Sequence, residues 1–96
     1  MRDPFLVVTT SHFDRMMQRL NRGHTDIADR FGHAFTILSE DPHNHTRKHP
    51  IIKLEGVGKN GGQYRLRLGR WRFRYDIDNH TVILKYCGLR REDTYR

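Results

Sequence analysis

Apolar positions along the chain change rhythm three times. Phe5-Leu6-Val7-Val8-Thr9 is a continuous, partly β-branched run, which predicts a short strand buried on both faces or nearly so. Thr10 and Ser11 then stand as N-cap candidates for a helix, with Asp14 in its first turn. Phe13, Met16, Met17 and Leu20 recur at i, i+3, i+4 and i+7, the stripe of an amphipathic helix, with Arg15, Gln18 and Arg19 on its other side. Asn21-Arg22-Gly23 ends that helix, and Gly23 is expected to form a left-handed cap. A second helix is predicted from Thr25, with Asp26 and Asp29 near its positive end. Its stripe is Ile27, Phe31, Ala34 or Phe35, and Leu38. Gly32 costs about 1 kcal/mol relative to Ala in an exposed helix, and is expected here to let the two helices approach closely. Asp41-Pro42 closes the second helix, and the pair forms an αα-hairpin.

Residues 42–50 are polar and read as a loop. Ile51 to Gly56 leads into a second, flexible loop, Gly58-Lys59-Asn60-Gly61-Gly62. Beyond it the period falls to two. Tyr64, Leu66 and Leu68 alternate with Arg65 and Arg67. Trp71, Phe73, Tyr75 and Ile77 alternate with Arg72, Arg74 and Asp76, and Val82, Leu84 and Tyr86 with Ile83, Lys85 and Cys87. Three strands are therefore predicted, each with one apolar and one polar face, with hairpin turns at Gly69-Arg70 and Asp78-Asn79. The order strand, helix, helix, three antiparallel strands is α+β, and the helices must cover the apolar face.

A chain of 96 residues leaves room for one core, so residues 1–96 are read as a single domain. Ten aromatic residues (five Phe, four Tyr, one Trp) supply its bulk. No apolar run is long enough to span a membrane, and the first residues lack the features of a signal peptide. Cys87 is the sole cysteine, which excludes an internal disulfide. A cytoplasmic domain is expected. The 18 Lys and Arg against 11 Asp and Glu give a net charge of +7, which calls for an anionic partner.

Arg65, Arg67, Arg72, Arg74 and Lys85 are expected on one side of the sheet, with Asp76 the single acid among them. Such a row reads either as a solvated face whose arginine stems shield apolar atoms, or as an anion-binding face. The preponderance of arginine, whose planar fork matches phosphate, favours the second. The tail adds Arg90, Arg91 and Tyr95, which read either as a frayed terminus or as an extension of that face.

The pattern KLEG…YRLRLGRWRFRYDID…GLRREDTY resembles the RelE/ParE family of bacterial type II toxin–antitoxin toxins, over almost the whole chain. The resemblance implies a small α+β, microbial-ribonuclease-like fold, neutralised by a cognate, acidic antitoxin. RelE-like members cut messenger RNA in the ribosomal A site without a metal or other cofactor. ParE-like members share the fold and inhibit DNA gyrase. The RelE-like branch is favoured. It implies catalytic positions at Arg65, Arg67, Arg72, Arg90 and Tyr95, and further RNA contacts are expected from the basic residues Arg74, Lys85, Lys53 and Arg91.

Metal-free cleavage requires the 2′-OH to attack phosphorus, giving a 2′,3′-cyclic phosphate and a 5′-OH. A base takes the 2′ proton, an acid supplies the leaving oxygen, and cations stabilise the phosphorane. Arginines suit the last task and are poor bases. The best-known RelE toxin carries lysines in the strand where Arg65 and Arg67 stand, so this sequence leaves its base unidentified. His80 has suitable chemistry but follows a hairpin turn. His43, His45 and His49 share a loop, with no cysteine and no standard metal spacing, and no metal site is assigned.

Overall fold

The computed structural model describes residues 3–89, so Arg90, Arg91 and Tyr95 lie outside the described residues. The elements are β1 (Leu6–Thr9), α1 (Ser11–Gly23), α2 (Ile27–Glu40), β2 (Ile51–Lys53), β3 (Tyr64–Leu68), β4 (Trp71–Asp78) and β5 (Thr81–Leu89). They form an α+β fold in which a five-stranded mixed sheet has the order β1-β5-β4-β3-β2. β1 runs parallel to β5, and the other pairs are antiparallel. Strand β2 is an addition to the three strands visible in the period-2 pattern, because three residues are too few to show alternation.

Both helices bury their stripes on one side of the sheet. Phe13, Ile27, Ala34 and Leu38 meet Leu66, Phe73, Tyr75, Val82 and Leu84 in one core cluster. Each Val, Leu, Ile or Phe side chain among them gains roughly 1.5–3 kcal/mol from leaving water. In α2 the small Ala34 takes the buried position, and Phe35 is 45% exposed. Gly32 has nothing within 4 Å of a Cβ built on it, so it does not serve a close helix contact. Strand β1 lies at an edge, and Leu6 is 62% exposed, so the expected two-sided burial does not occur. The continuous apolar run reflects one face packed on α2 and the other near the sheet rim.

Local chemistry explains most boundaries. Thr10 caps α1, its Oγ1 accepting from Phe13 N at 3.0 Å. Gly23 is the last helical residue, and the extended His24 (φ −138°) ends the helix in place of a left-handed glycine. Helix α2 starts at Ile27, with Asp26 at its N-cap position and no hydrogen bond from the Asp26 side chain to the helix amides. Asp26 instead accepts from Trp71 Nε1 at 2.9 Å and from Arg70 Nη2 at 3.0 Å. That ties the α1–α2 turn to the β3–β4 hairpin, whose two-residue turn places Gly69 at φ 61°, a conformation glycine adopts without strain. The next hairpin turns at Asn79-His80, one residue later than predicted, because Asp78 still pairs with Thr81.

Hydrogen bonds from Arg70 and then Trp71 lower the Asp26 pKa to about 2. Asp26 therefore contributes stability that is full above its ordinary value of 3.8 and is lost as pH falls through about 2. Asp26→Asn should flatten the melting temperature between pH 4 and 2 relative to wild type. Identical acid limbs in thermal melts of the two proteins would disprove that contribution.

The loop after α2 is built on Asp41. Its carboxylate accepts from His45 N at 2.8 Å, Thr46 N at 3.1 Å and Thr46 Oγ1 at 2.7 Å. Burial pushes this carboxyl up, but the Thr46 and His45 hydrogen bonds outweigh it and hold the pKa below the ordinary range. Tyr75 reaches out of the core to donate to Pro42 O at 2.7 Å, which anchors the same loop to the sheet.

Candidate nucleic-acid interface

The side of the sheet away from the helices gathers the charge. In the β3–β4 register Arg65 stands opposite Arg74 and Arg67 opposite Arg72. Directly opposed residues share a face with Cβ atoms only about 4.5–5.5 Å apart, and like charges so placed are destabilising. Two arginine–arginine pairs in adjacent rows therefore concentrate positive charge on this face. Their exposure is graded. Arg67 is exposed, Arg65 is half-buried, and Arg72 is only 6% exposed.

The far end of this face is closed by the glycine loop. Asp76, 5% exposed, accepts from Gly62 N and Gln63 N, both at 2.9 Å. Lys85 Nζ lies 3.6 Å from the same carboxylate and donates to Asn60 O at 3.2 Å. Arg74 donates through Nε to Gly62 O at 3.1 Å and through Nη2 to Gly61 O at 3.0 Å. Gly62 holds φ 80°, and a Cβ there would sit 3.2 Å from Arg74 Cβ. The segment expected to be flexible is thus fixed at residues 60–63. Arg74 and Lys85 lie on the basic face as predicted, and both are engaged in holding that loop.

Strand β5 departs from the simple pattern. Arg74 pairs with Tyr86 and Tyr75 with Leu84, which leaves a bulge at Lys85. The extra residue shifts the phase of everything after it. Cys87, expected on the polar side, is buried in the core cluster, and Tyr86, expected in the core, turns onto the basic face. There it lies over Gly88, where an added Cβ would come 2.7 Å from Tyr86 Cζ. Tyr86 is the residue of this face that pattern reading missed. The one available signal was Gly88, a glycine inside a strand, which often marks a bulge or a close approach.

The remaining assigned residues separate. Lys53 pairs with Tyr64 and so lies on the helix side of the sheet, its Nζ 5.8 Å from the Tyr64 ring centroid. It is not part of the arginine cluster. His80 sits at the opposite end of β5 from Gly88, about 25 Å away at the usual strand rise. Its ring stacks on Phe5 at 4.2 Å, beside a cavity of about 280 Å³ that His43 and His45 also line. Burial, and next the charge of His45, lower the His43 pKa. Among the described residues no group of His, Cys, Asp and Glu side chains converges as a metal site, and no helix is long and apolar enough to cross a membrane.

A small α+β sheet with one helix-covered face and one arginine-lined face defines the class. Comparison with solved structures narrows it. A chain of the archaeal RelE–RelB complex from Pyrococcus horikoshii OT3 superposes with a TM-score of 0.68 at 26% identity, over 91% of this chain and 96% of that one. A chain of the RelB–RelE antitoxin–toxin complex from Methanococcus jannaschii has the same fold, with a TM-score of 0.60 at 20% identity over 88% and 92%. No family model matches the chain, and no curated protein matches it. The chain is thus similar in fold to chains of RelE–RelB complexes, the fold that the sequence resemblance implies.

Proposed function

We propose that the protein is the toxin of a toxin–antitoxin pair that acts in the cytoplasm as a metal-independent endoribonuclease, cutting messenger RNA in the ribosomal A site. The observation that carries this reading is the doubled arginine pairing, Arg65 with Arg74 and Arg67 with Arg72, on the open side of a RelE-like sheet. A face with four arginines in two adjacent rows suits the phosphates of a nucleic acid, which the arginine fork binds in pairs of hydrogen bonds. Arg65, Arg67 and Arg72 then hold the scissile phosphate and stabilise the phosphorane as the 2′-oxygen attacks and the 5′-oxygen leaves. Arg90 and Tyr95 join them in this reading on the strength of the sequence resemblance alone. Arg74 and Lys85 contribute chiefly by fixing the loop and adding to the field.

Both matched complexes hold RelE together with RelB, and an antitoxin of the same kind is the proposed partner here. Opposite charge would speed its encounter with a +7 chain.

One observation favours a second reading, inhibition of DNA gyrase. The described arginine cluster has no histidine or lysine base beside Arg65 and Arg67, since His80 lies at the other end of β5 and Lys85 is bound to the loop. A pulse of expression with separate readouts of translation and DNA supercoiling decides between them. Cleaved message with unchanged supercoiling is the expected result. Altered supercoiling with intact message would move the function to gyrase, and unimpaired growth on abundant folded protein would overturn both.

A further inference from the structure

Tyr86 is out of place for a core aromatic. The bulge at Lys85 takes it from the buried side of β5 and sets it among arginines, opposite Arg74 and over the Gly88 position that faces Arg72. The arrangement has two costs. The bulge interrupts the β4–β5 ladder, and a glycine within a strand weakens it. Any larger residue at 88 would meet the phenol ring, since its Cβ would lie 2.7 Å from Cζ and 3.0 Å from Cε2. The ring therefore lies along the strand surface, half-buried, with guanidinium groups on the neighbouring strand.

We propose that Tyr86 is a base-stacking residue, which receives an unpaired nucleobase of single-stranded RNA while the neighbouring arginines hold its phosphates. The proposal rests on the RNA reading above and specifies it. A flat ring flanked by cations accepts any base by its π-face, and adjacent arginine strengthens the contact. Paired bases present no such face, so the substrate is a single strand and not a duplex.

The test measures binding of the full chain to a single-stranded RNA oligonucleotide, with a duplex of the same sequence as competitor. Tyr86→Ala should weaken binding by roughly 5- to 150-fold, the range for one lost base–aromatic stack. Tyr86→Phe, which keeps the ring, should recover most of that affinity. The salt dependence should be unchanged in both, since no phosphate contact is removed. Gly88→Ala should also weaken binding, because it displaces the ring without deleting it. Should these variants fail to fold in thermal melts, ultraviolet crosslinking of 4-thiouridine RNA to the wild type decides. Trypsin separates Tyr86 from Tyr95 at Arg90 and Arg91, and the crosslink is expected on the Tyr86 peptide. Undiminished binding by folded Tyr86→Ala, equal loss in Tyr86→Phe and Tyr86→Ala, or crosslinking only outside that peptide would each overturn the stacking role. A wild-type chain with no affinity for RNA would instead remove the RNA reading, and this proposal with it.

Discussion

Arg67→Ala should melt at or slightly above the wild-type temperature and cut ribosome-bound message about 10²–10³-fold more slowly. The two effects have one cause. Arg67 is exposed and stands directly across the strand from the buried Arg72. Truncating an exposed side chain ordinarily changes stability by no more than about 0.5 kcal/mol, and removing a directly opposed like charge adds a small gain. In the transition state of the proposed cleavage the balance would reverse: negative charge grows on the phosphorane, and a preorganised cation beside it would stabilise that charge. Arg67→Lys should recover only part of the rate, since it keeps the charge and loses the fork. Cleavage assays on folded variants, paired with thermal melts, check this. Wild-type cleavage by Arg67→Ala would remove Arg67 from the chemistry, and a large loss of stability would remove the like-charge explanation.

The legible part of this fold and the illegible part differ in the range of the forces behind them. Alternation in β3 and β4 is set by each residue's own preference for the apolar core or the polar side of the sheet, so the faces of Arg65, Arg67, Arg72 and Arg74 could be read from the chain. The same holds for Phe13 and Met16 in α1 and for the Thr10 cap, whose hydrogen bond spans three residues. Strand β5 could not be read in that way. Its bulge depends on how Lys85 and Tyr86 sit against β4 and the glycine loop, and a period-2 pattern continued past it assigns Tyr86 and Cys87 to the wrong sides. Lys53 was unreadable for a related reason, since the face of a three-residue strand is fixed only by its pairing with Tyr64. The fixed loop at residues 60–63 depends on Asp76, Arg74 and Lys85, which lie 12 to 25 positions away. The cationic face was therefore visible in the sequence. The aromatic set into it, and the withdrawal of two of its cations to hold a loop, came only with tertiary structure.

Asp76→Ala carries the largest expected loss of stability. The Asp76 carboxylate is almost fully enclosed, and three donors depend on it: the amides of Gly62 and Gln63 and the Lys85 ammonium. Truncation leaves two amides short of a partner and a partly buried cation without its counter-ion. Removing one member of a buried pair costs about 3–5 kcal/mol. For a domain of this size, each kcal/mol moves the melting temperature by roughly 4–8 °C, so a fall of at least about 12 °C is expected. Asp76→Asn retains one acceptor oxygen and loses the charge, so it should fall between the two, at about 1–3 kcal/mol. The damage should be local before it is global. With the carboxylate gone, limited proteolysis within residues 56–62 should quicken at temperatures where the sheet is still folded. Arg67 and Arg72 sit towards the Gly69-Arg70 turn, four positions along β4 from Asp76, and the strand ladder there does not depend on the loop. Below its melt, then, Asp76→Ala should retain far more cleavage than Arg67→Ala does. A melt that matches wild type would show that the loop is held by Arg74 and Lys85 alone, whereas cleavage as low as in Arg67→Ala would place the loop itself within the interface.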